Sequence, residues 1–416
     1  MITSSSWSGK RYAVLGLARS GKATAEALLA SGAEVLVWDD RPEAREPFVG
    51  RTAVADPLEA DLTGYTGVVV SPGVPLNTHP IAGHAAKYAV PVIGDIELFA
   101  QARAGLPPHK VVGITGTNGK STTTALTHHI LKTAGVPTTM GGNIGLPILE
   151  QDPLPVGGVY VLELSSYQID LTYSLDCDVA VLLNITPDHL DRYESFEDYK
   201  ASKVRLFRMQ KPDQLWIEGE SAELISEWRT EEEQAQWPAL QGPHNLQNSE
   251  AAWDACDFLG ISDEVIRDAL RTYPGLPHRM ERIAEIGGVA WVNDSKGTNT
   301  AATAPALAAF DNIHWIVGGL AKEPGLGECE AELGHVKAAY TIGKSGDDFA
   351  RLLEGRVPTT RSGTLEQAVE QAEQRAERGD TVLLSPACAS FDQFRDFEHR
   401  GEVFRAAVLK LQGAPA

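Results

Sequence analysis

The sequence predicts an α/β protein built on several parallel sheets, an expectation that rests on three observations. Apolar strand-like runs alternate with Ala/Leu-rich helical stretches, several of those runs end in glycine turns, and 416 residues are too many for one ordinary core. In the first unit, residues 11–95, RYAVLGL reads as a strand, Ser20 to Ser31 as a helix, EVLVWDD as a second strand and GVVVSPG as a third. A second unit starts near Lys110, with KVVGITG as strand and TTTALTHHILKTAG as helix; VYVLELSS, DVAVLLNI and QLWIEG continue its sheet. The Glu-rich stretch 218–236 reads as a solvated face or an insertion. A third unit follows PGLPHRME, with strands at VAWVND, IHWIVGG, AAYTIG and TVLLSP. Its helices are expected at Asn299–Phe310, Leu365–Arg375 and Phe394–Leu411. Pro and Gly mark boundaries near 98 and 276, which gives three domains: 1–98, 99–276 and 277–416.

Composition narrows the function classes. With 56 acidic against 36 basic residues the formal net charge is −20, which argues against a nucleic-acid partner, because phosphate backbones are held by clustered Lys and Arg. If the substrates are anions, specific basic residues must overcome that global field. No apolar run reaches the ~18 residues of a membrane-spanning helix, so no membrane partner is expected. The start, MITSSSWSGKRYAVLGL, lacks the pattern of a secretory signal, and the four cysteines have no framework spacing. A cytoplasmic location is the expectation.

The segment KVVGITGTNGKSTTTALTHHI is a strand, a glycine-rich turn, then Lys-Ser at a helix start. Backbone N–H groups converge on phosphate oxygens only where side chains are absent, a lysine adds charge, and a hydroxyl can ligate Mg²⁺. Gly116, Thr117, Asn118, Gly119, Lys120, Ser121 and Thr122 fit such an ATP loop, with Lys120 and Ser121 in the last two roles. Ile114 stands where the strict pattern asks for glycine, which points away from generic GTPases and motors. The earlier turn Gly16-Leu17-Ala18-Arg19-Ser20-Gly21 is a near miss to the dinucleotide fingerprint, with Ala18 replacing the glycine of closest approach. Asp39 and Asp40 end the next strand, roughly where a ribose-binding carboxylate stands. A second nucleotide-like ligand with a differently seated diphosphate suits this turn better than a nicotinamide dinucleotide.

Other candidates lie at strand ends. Glu163 ends VYVLELSS and is the expected Mg²⁺ partner, or else an exposed carboxylate. His189 in NITPDHLDRY could ligate a second Mg²⁺, touch phosphate or be structural, and Lys203 in YKASKVRLF reads by composition as a surface helix lysine. Asn245 and Asn248 share a helix face, where amides read an adenine ring or cap the helix. In the third unit Asp294, Lys296, Thr298, Lys322, Ser385, Ser390 and Phe391 all follow strands, the edge where open α/β sheets bind ligands. Two lysines and two hydroxyls there suit a small dicarboxylate, and His278-Arg279 could reach ATP phosphates.

Taken together, GTNGKST, ELSSYQ, NITPDHLDRY, ASKVRLF, HNLQN, GLPHR, NDSKGTN and SPACASFDQF make the chain resemble the Mur ligases over essentially its full length. NDSKGTN and SPACASFDQF resemble the D-glutamate-adding branch. The resemblance implies a Rossmann-like parallel sheet for a UDP-sugar, a central P-loop ATPase-like domain and a Rossmann-like C-terminal domain for the amino acid. It implies ATP and Mg²⁺, an acyl-phosphate route to an amide in cytoplasmic peptidoglycan precursor synthesis, small-molecule substrates and a monomer. By the same resemblance Lys120, His189 and Lys203 are catalytic, and Ser121, Glu163, His189 and Lys203 hold metal, Lys203 as a carbamate. Asn245, Asn248, Arg279 and Asp294 resemble ATP contacts. Lys296, Thr298, Lys322, Ser390, Phe391 and Phe397 resemble the D-glutamate pocket. Asn143 in GGNIG resembles a sugar-nucleotide contact, and Arg19, Ser20, Asp40, Arg41 and Ser71 are the further candidates for that ligand. A nicotinamide-dependent oxidoreductase and an ATP-driven switch or motor are the competing classes.

Overall fold

The computed structural model describes residues 1–186, 192–219 and 231–413. The described residues fall in two compact units, one within 1–226 and 247–269, the other within 227–246 and 270–416.

The first unit holds two five-stranded sheets. In one, β1 (Arg11–Leu15), β2 (Glu34–Trp38), β3 (Ala53–Val54), β4 (Gly67–Val70) and β5 (Val92–Ile93) pair in parallel in the order β3-β2-β1-β4-β5. All four residues of β4 are buried, which fits a parallel sheet covered on both faces. The order reverses at β1 and β4, and a crevice opens beyond the carboxyl ends of strands at such a point. In the other sheet β6 (His109–Thr115), β7 (Thr138–Gly142), β8 (Gly158–Glu163), β9 (Val179–Leu182) and β10 (Leu215–Glu218) are parallel in the order β10-β9-β6-β8-β7.

The two sheets share one core, in which Val14 and Val37 join Val111, Tyr160 and Leu162. Helix Asp95–Ala102 carries the chain from one sheet to the other. Phe99 on that helix meets Tyr160 edge-on, ring centroids 5.0 Å apart. Buried Glu97 accepts hydrogen bonds from the Tyr173 and Ser174 amides at 2.7 and 2.9 Å.

The second unit holds a six-stranded sheet: β11 (Glu281–Ile286), β12 (Val289–Asn293), β13 (Ile313–Gly318), β14 (Val336–Ile342), β15 (Thr359–Gly363) and β16 (Thr381–Leu384). Its order is β11-β12-β16-β13-β14-β15, and only the β11–β12 pair is antiparallel. Trp315 and Leu383 pack on one face, Trp291, Tyr340 and Leu384 on the other. The expected helices lie at Thr300–Leu307, Leu365–Glu373 and Phe397–Leu411, capped by the side chains of Asn299, Thr364 and Asp396.

Every strand expected from the sequence is present. Strands β3, β5, β7, β11 and β15 were not foreseen, nor were several helices, among them Ile81–Lys87, Asp95–Ala102, Asp263–Thr272 and Gly346–Leu353. β3 and β5 are two residues long, and β7 (TTMGG) and β15 (TTRSG) are polar edge strands without an apolar alternation. Most of the Glu-rich stretch, 220–230, lies outside the described residues. All four cysteines are buried free thiols, and no helix among the described residues is long and apolar enough to cross a membrane.

Candidate functional site

The glycine-rich loop leaves β6 at Gly116 (φ 151°) and enters helix Lys120–Thr133 through Gly119 (φ 83°), a left-handed position that favours glycine. A Cβ on Gly119 would lie 2.2 Å from Asn248 Oδ1, so the loop and Asn248 are in contact through the bare backbone. Asn248 is buried and also accepts from Thr123 Oγ1 at 3.3 Å; it supports the loop. Asn184, at the end of β9, doubles the loop's backbone. Its Oδ1 accepts from the Asn118 amide at 2.8 Å, its Nδ2 donates to Asn118 O at 3.2 Å, and its own carbonyl accepts from the Thr117 amide at 2.8 Å. Thr117 Oγ1 contacts Tyr199 Oη at 3.1 Å. Ser121 and Thr122 are buried in the first helical turn.

Two ammonium groups meet on one carbonyl. Lys120 Nζ donates to Gly116 O at 2.9 Å and Thr117 O at 2.7 Å, and Lys203 Nζ donates to Gly116 O at 2.9 Å. Lys203 is 2% exposed and stands 4.6 Å from the Tyr199 ring centroid. The surface role read from its composition is thus overturned: helix Phe196–Arg208 turns that lysine inward against the loop. Positive charge at a glycine-rich helix start suits a polyphosphate.

Glu163 ends β8, in register with Ile114 of β6 and Gly142 of β7. It is buried, not an exposed carboxylate: Oε1 accepts from Asn143 Nδ2 at 2.8 Å, while Oε2 has no hydrogen-bond partner among the described residues. A buried carboxylate oxygen left unpaired close to a phosphate loop fits a hard cation such as Mg²⁺, and the Ser121 hydroxyl supplies the same donor chemistry. His189 lies outside the described residues.

Asn143 also lines a cleft of about 450 Å³ at the carboxyl ends of β1 and β4. Arg19, Ser20, Asp39, Ser71 and Gly145 line it too, and Arg19 Nη2 donates to Gly145 O at 2.8 Å. Ser71 Oγ donates to Gly16 O at 2.8 Å. Asp39 lines the cleft, whereas Asp40 is exposed and does not. Asp39 accepts from the Leu17 amide at 2.7 Å and from Arg41 Nε at 3.0 Å. Burial raises the Asp39 pKa, but the Arg41 guanidinium and the Leu17 and Arg41 amides outweigh it and hold the carboxyl at about 2. Arg41 is thereby engaged as a brace for the turn. Sequence reasoning left Asp39 and Asp40 both open here, because β2 is buried on both faces and alternation does not say which end residue turns inward.

In the second unit Asn245 is buried and donates to Gln241 O at 3.0 Å. Arg279 lies between two left-handed residues, His278 (φ 62°) and Met280 (φ 49°). Its charge helps hold down buried Asp294, whose pKa burial lifts to about 6 against hydrogen bonds from Ser385 Oγ, at 2.6 Å, and the Met280 amide. His278 faces inward: Nδ1 is 3.0 Å from Asn293 Nδ2 and its ring stands edge-on to Phe397. Its Nε2 is 3.4 Å from Glu402 Oε1.

Among the amino-acid candidates, Lys296 Nζ stands 5.8 Å from the Phe397 ring centroid, Lys322 Nζ is 3.5 Å from Thr298 Oγ1, and Ser390 is buried. Phe391 is 71% exposed, an apolar face turned to solvent beside a buried serine. Sequence reasoning missed Asn184, which had a signal, a polar residue just after an apolar strand.

The Mur ligase middle-domain model matches residues 114–253, and the model for the Mur ligase glutamate ligase domain matches 278–388. The chain is 61% identical over 429 residues to the UDP-N-acetylmuramoylalanine–D-glutamate ligase of Novosphingobium aromaticivorans, covering 99% of this chain and 97% of that one. It is 58% identical to the enzyme of the same name from Sphingopyxis alaskensis, covering 99% and 100%. Among solved structures, the UDP-N-acetylmuramate–alanine ligase of Thermotoga maritima superposes with a TM-score of 0.58 at 18% identity, covering 97% and 99%. A Yersinia pestis folylpolyglutamate synthase/dihydrofolate synthase complexed with AMPPNP and Mn does so at 0.53 and 19%, covering 76% and 93%.

Proposed function

The chain belongs to the Mur ligase family, and on that premise we propose that it joins D-glutamate to UDP-N-acetylmuramoyl-L-alanine with ATP, in peptidoglycan precursor synthesis. The observation that carries this reading is the Asn143–Glu163 hydrogen bond. Asn143 lines the cleft beyond β1 and β4, and Glu163 ends the strand paired with the one that feeds the phosphate loop. One contact therefore joins the cleft proposed for the UDP-sugar to the strand pair that feeds the loop proposed for ATP.

The chemistry follows from the residues. A carboxylate is a poor acyl donor, so its oxygen attacks the γ-phosphorus of ATP and ADP leaves. The loop amides and Lys120 hold the transferring phosphoryl group and offset its growing charge. The amine of D-glutamate then attacks the acyl phosphate, loses a proton, and phosphate departs as the amide forms. Mg²⁺, held by Glu163 and Ser121, would neutralise charge on the phosphates. His189 is proposed as a further ligand. Buried Lys203 is proposed to take up CO₂ as a carbamate, releasing a proton and becoming an anionic ligand.

Three functional domains, 1–98 for the UDP-sugar, 99–276 for ATP and 277–416 for D-glutamate, are part of the proposal. So are ATP contacts at Asn245, Asn248, Arg279 and Asp294, a cytoplasmic location and a monomer. For the UDP-sugar we propose Arg19, Ser20, Ser71 and Asn143 as contacts, with Asp39 and Arg41 bracing the turn. The test is ATP-dependent phosphate release with the muramoyl-alanine substrate, comparing D-glutamate with L-glutamate and L-alanine. D-Glutamate should support turnover alone among the three. Equal phosphate release with both co-substrates omitted would reduce the chain to an ATPase.

A further inference from the structure

Arg400 is 0% exposed, and among the described residues its hydrogen bonds all go to uncharged oxygens. Nε donates to Ser295 Oγ at 2.9 Å, Nη2 to Ser295 O at 2.8 Å and Nη1 to Cys388 O at 3.0 Å. A Cβ on Gly319 would stand 3.3 Å from Nη1, so the turn after β13 also rests on the guanidinium. Ser295 Oγ in turn donates to Phe397 O at 2.8 Å. Burial lowers the Arg400 pKa to about 10, so the group stays charged at neutral pH.

These three loops carry the amino-acid candidates. Ser295 precedes Lys296 and Thr298, Gly319 precedes Lys322, Cys388 precedes Ser390 and Phe391, and Phe397 begins the helix that bears Arg400. No carboxylate among the described residues makes an ion pair with Arg400; Asp294 and Asp392 act on it only through their more distant charge. A cation buried without a paired anion is costly, and the cost is smaller when a ligand's negative charge arrives nearby.

We propose that Arg400 is the positioning residue of the amino-acid site: it ties the 295, 319 and 388 loops into one frame and leaves a buried positive charge beneath them for a dicarboxylate. The inference rests on the D-glutamate reading above. It assigns Arg400 a role in amino-acid affinity and none in phosphoryl transfer, and that separates it from a residue that merely holds the fold.

The experiment measures KM for D-glutamate, ATP and the muramoyl substrate, with kcat and thermal midpoint, in wild type, Arg400→Met and Arg400→Lys. Arg400→Met should raise the D-glutamate KM by about tenfold or more, as a loosened frame does, while the other two KM values change by less than about twofold. Arg400→Lys keeps the charge but not the fork of hydrogen bonds, and should fall between wild type and Met. If Arg400→Met does not fold, the Lys variant alone decides, with a D-glutamate-selective rise of about threefold or more expected on the same ground. An unchanged D-glutamate KM in a folded variant, or a parallel rise of all three KM values with the fall in thermal midpoint, overturns the proposal. Wild-type turnover that ignores D-glutamate would instead overturn the parent reading.

Discussion

At the end of β1 the chain turns through Gly16 (φ 86°) into a helix that begins at Arg19; at the end of β6 it turns through Gly116 and Gly119 into one that begins at Lys120. The two turns share a plan and differ in what braces them. The first is held by a carboxylate, Asp39 on the Leu17 amide, and its cation, Arg19, reaches outward to Gly145. The second is held by a neutral amide, Asn184, and has two ammonium groups on the Gly116 carbonyl. A fixed negative charge inside a turn repels closely approaching phosphate, whereas a neutral brace does not. The second turn is therefore suited to the more highly charged ligand, and the first to one held partly from its rim.

Lys120→Ala breaks the comparison most sharply. Turnover should fall by at least about 10²-fold, the cost of losing a transition-state donor. Binding of the muramoyl substrate at the first turn, measured calorimetrically, should be unchanged.

Next come two glycines. Gly119→Ala would set a Cβ 2.2 Å from Asn248 Oδ1 at a left-handed φ, and Gly21→Ala would set one 1.8 Å from Gly16 O. Each should cost about 1–3 kcal/mol in thermal or denaturant unfolding. The Gly119 variant should weaken ATP selectively, and the Gly21 variant the muramoyl substrate. If both variants weakened the same ligand, the two turns would not serve different ligands.

Asp95 lies beside the first turn, buried, with no hydrogen-bond partner meeting its carboxylate oxygens among the described residues; burial lifts its pKa to about 6 against the smaller pull of the Ile96 amide and its own. The folded state then binds this proton more tightly than the unfolded one. Stability from this group is present below about pH 4 and lost as pH rises through about 6. Asp95→Asn should flatten that slope and stabilise the protein by about 1–3 kcal/mol at pH 7. An unchanged pH profile of unfolding would mean that the carboxyl is paired in solution.

Asp39 has the opposite sign and the smallest effect. Its depressed pKa gives stability that is present above about pH 4 and lost as pH falls through about 2. Asp39→Asn should cost about 1–2 kcal/mol at pH 7, discounted because Arg41 is exposed, and progressively less as pH falls below about 4.

The second turn was legible because close backbone approach to phosphate leaves a trace in residue types: glycines, then Lys-Ser at a helix start. The first was half legible, since Asp39 and Asp40 are chemically alike and only folding selects between them. Lys203 was misplaced for a related reason. Helical spacing says which residues share a face, but which face turns inward depends on the Gly116 carbonyl, far away in sequence. Arg400 has no local signature at all, because its meaning lies in three loops brought together by strand order. The unforeseen strands are short or polar edges, where pairing to a neighbour replaces the apolar alternation that announces a strand.

The core shared by the two sheets of the first unit bears on how such chains can be cut and recombined. A cut at residue 98 would sever a helix whose Ile96, Leu98, Phe99 and Ala102 are all buried. It would also part Glu97 from the rings and main chain it helps anchor to the second sheet. A chimera exchanging the first sheet between relatives at that point would inherit half a helix and a foreign seam. Its crossover belongs beyond Glu218, the end of β10, where the cleft beyond β1 and β4, the glycine-rich loop and its braces Asn184 and Lys203 travel as a single heritable block.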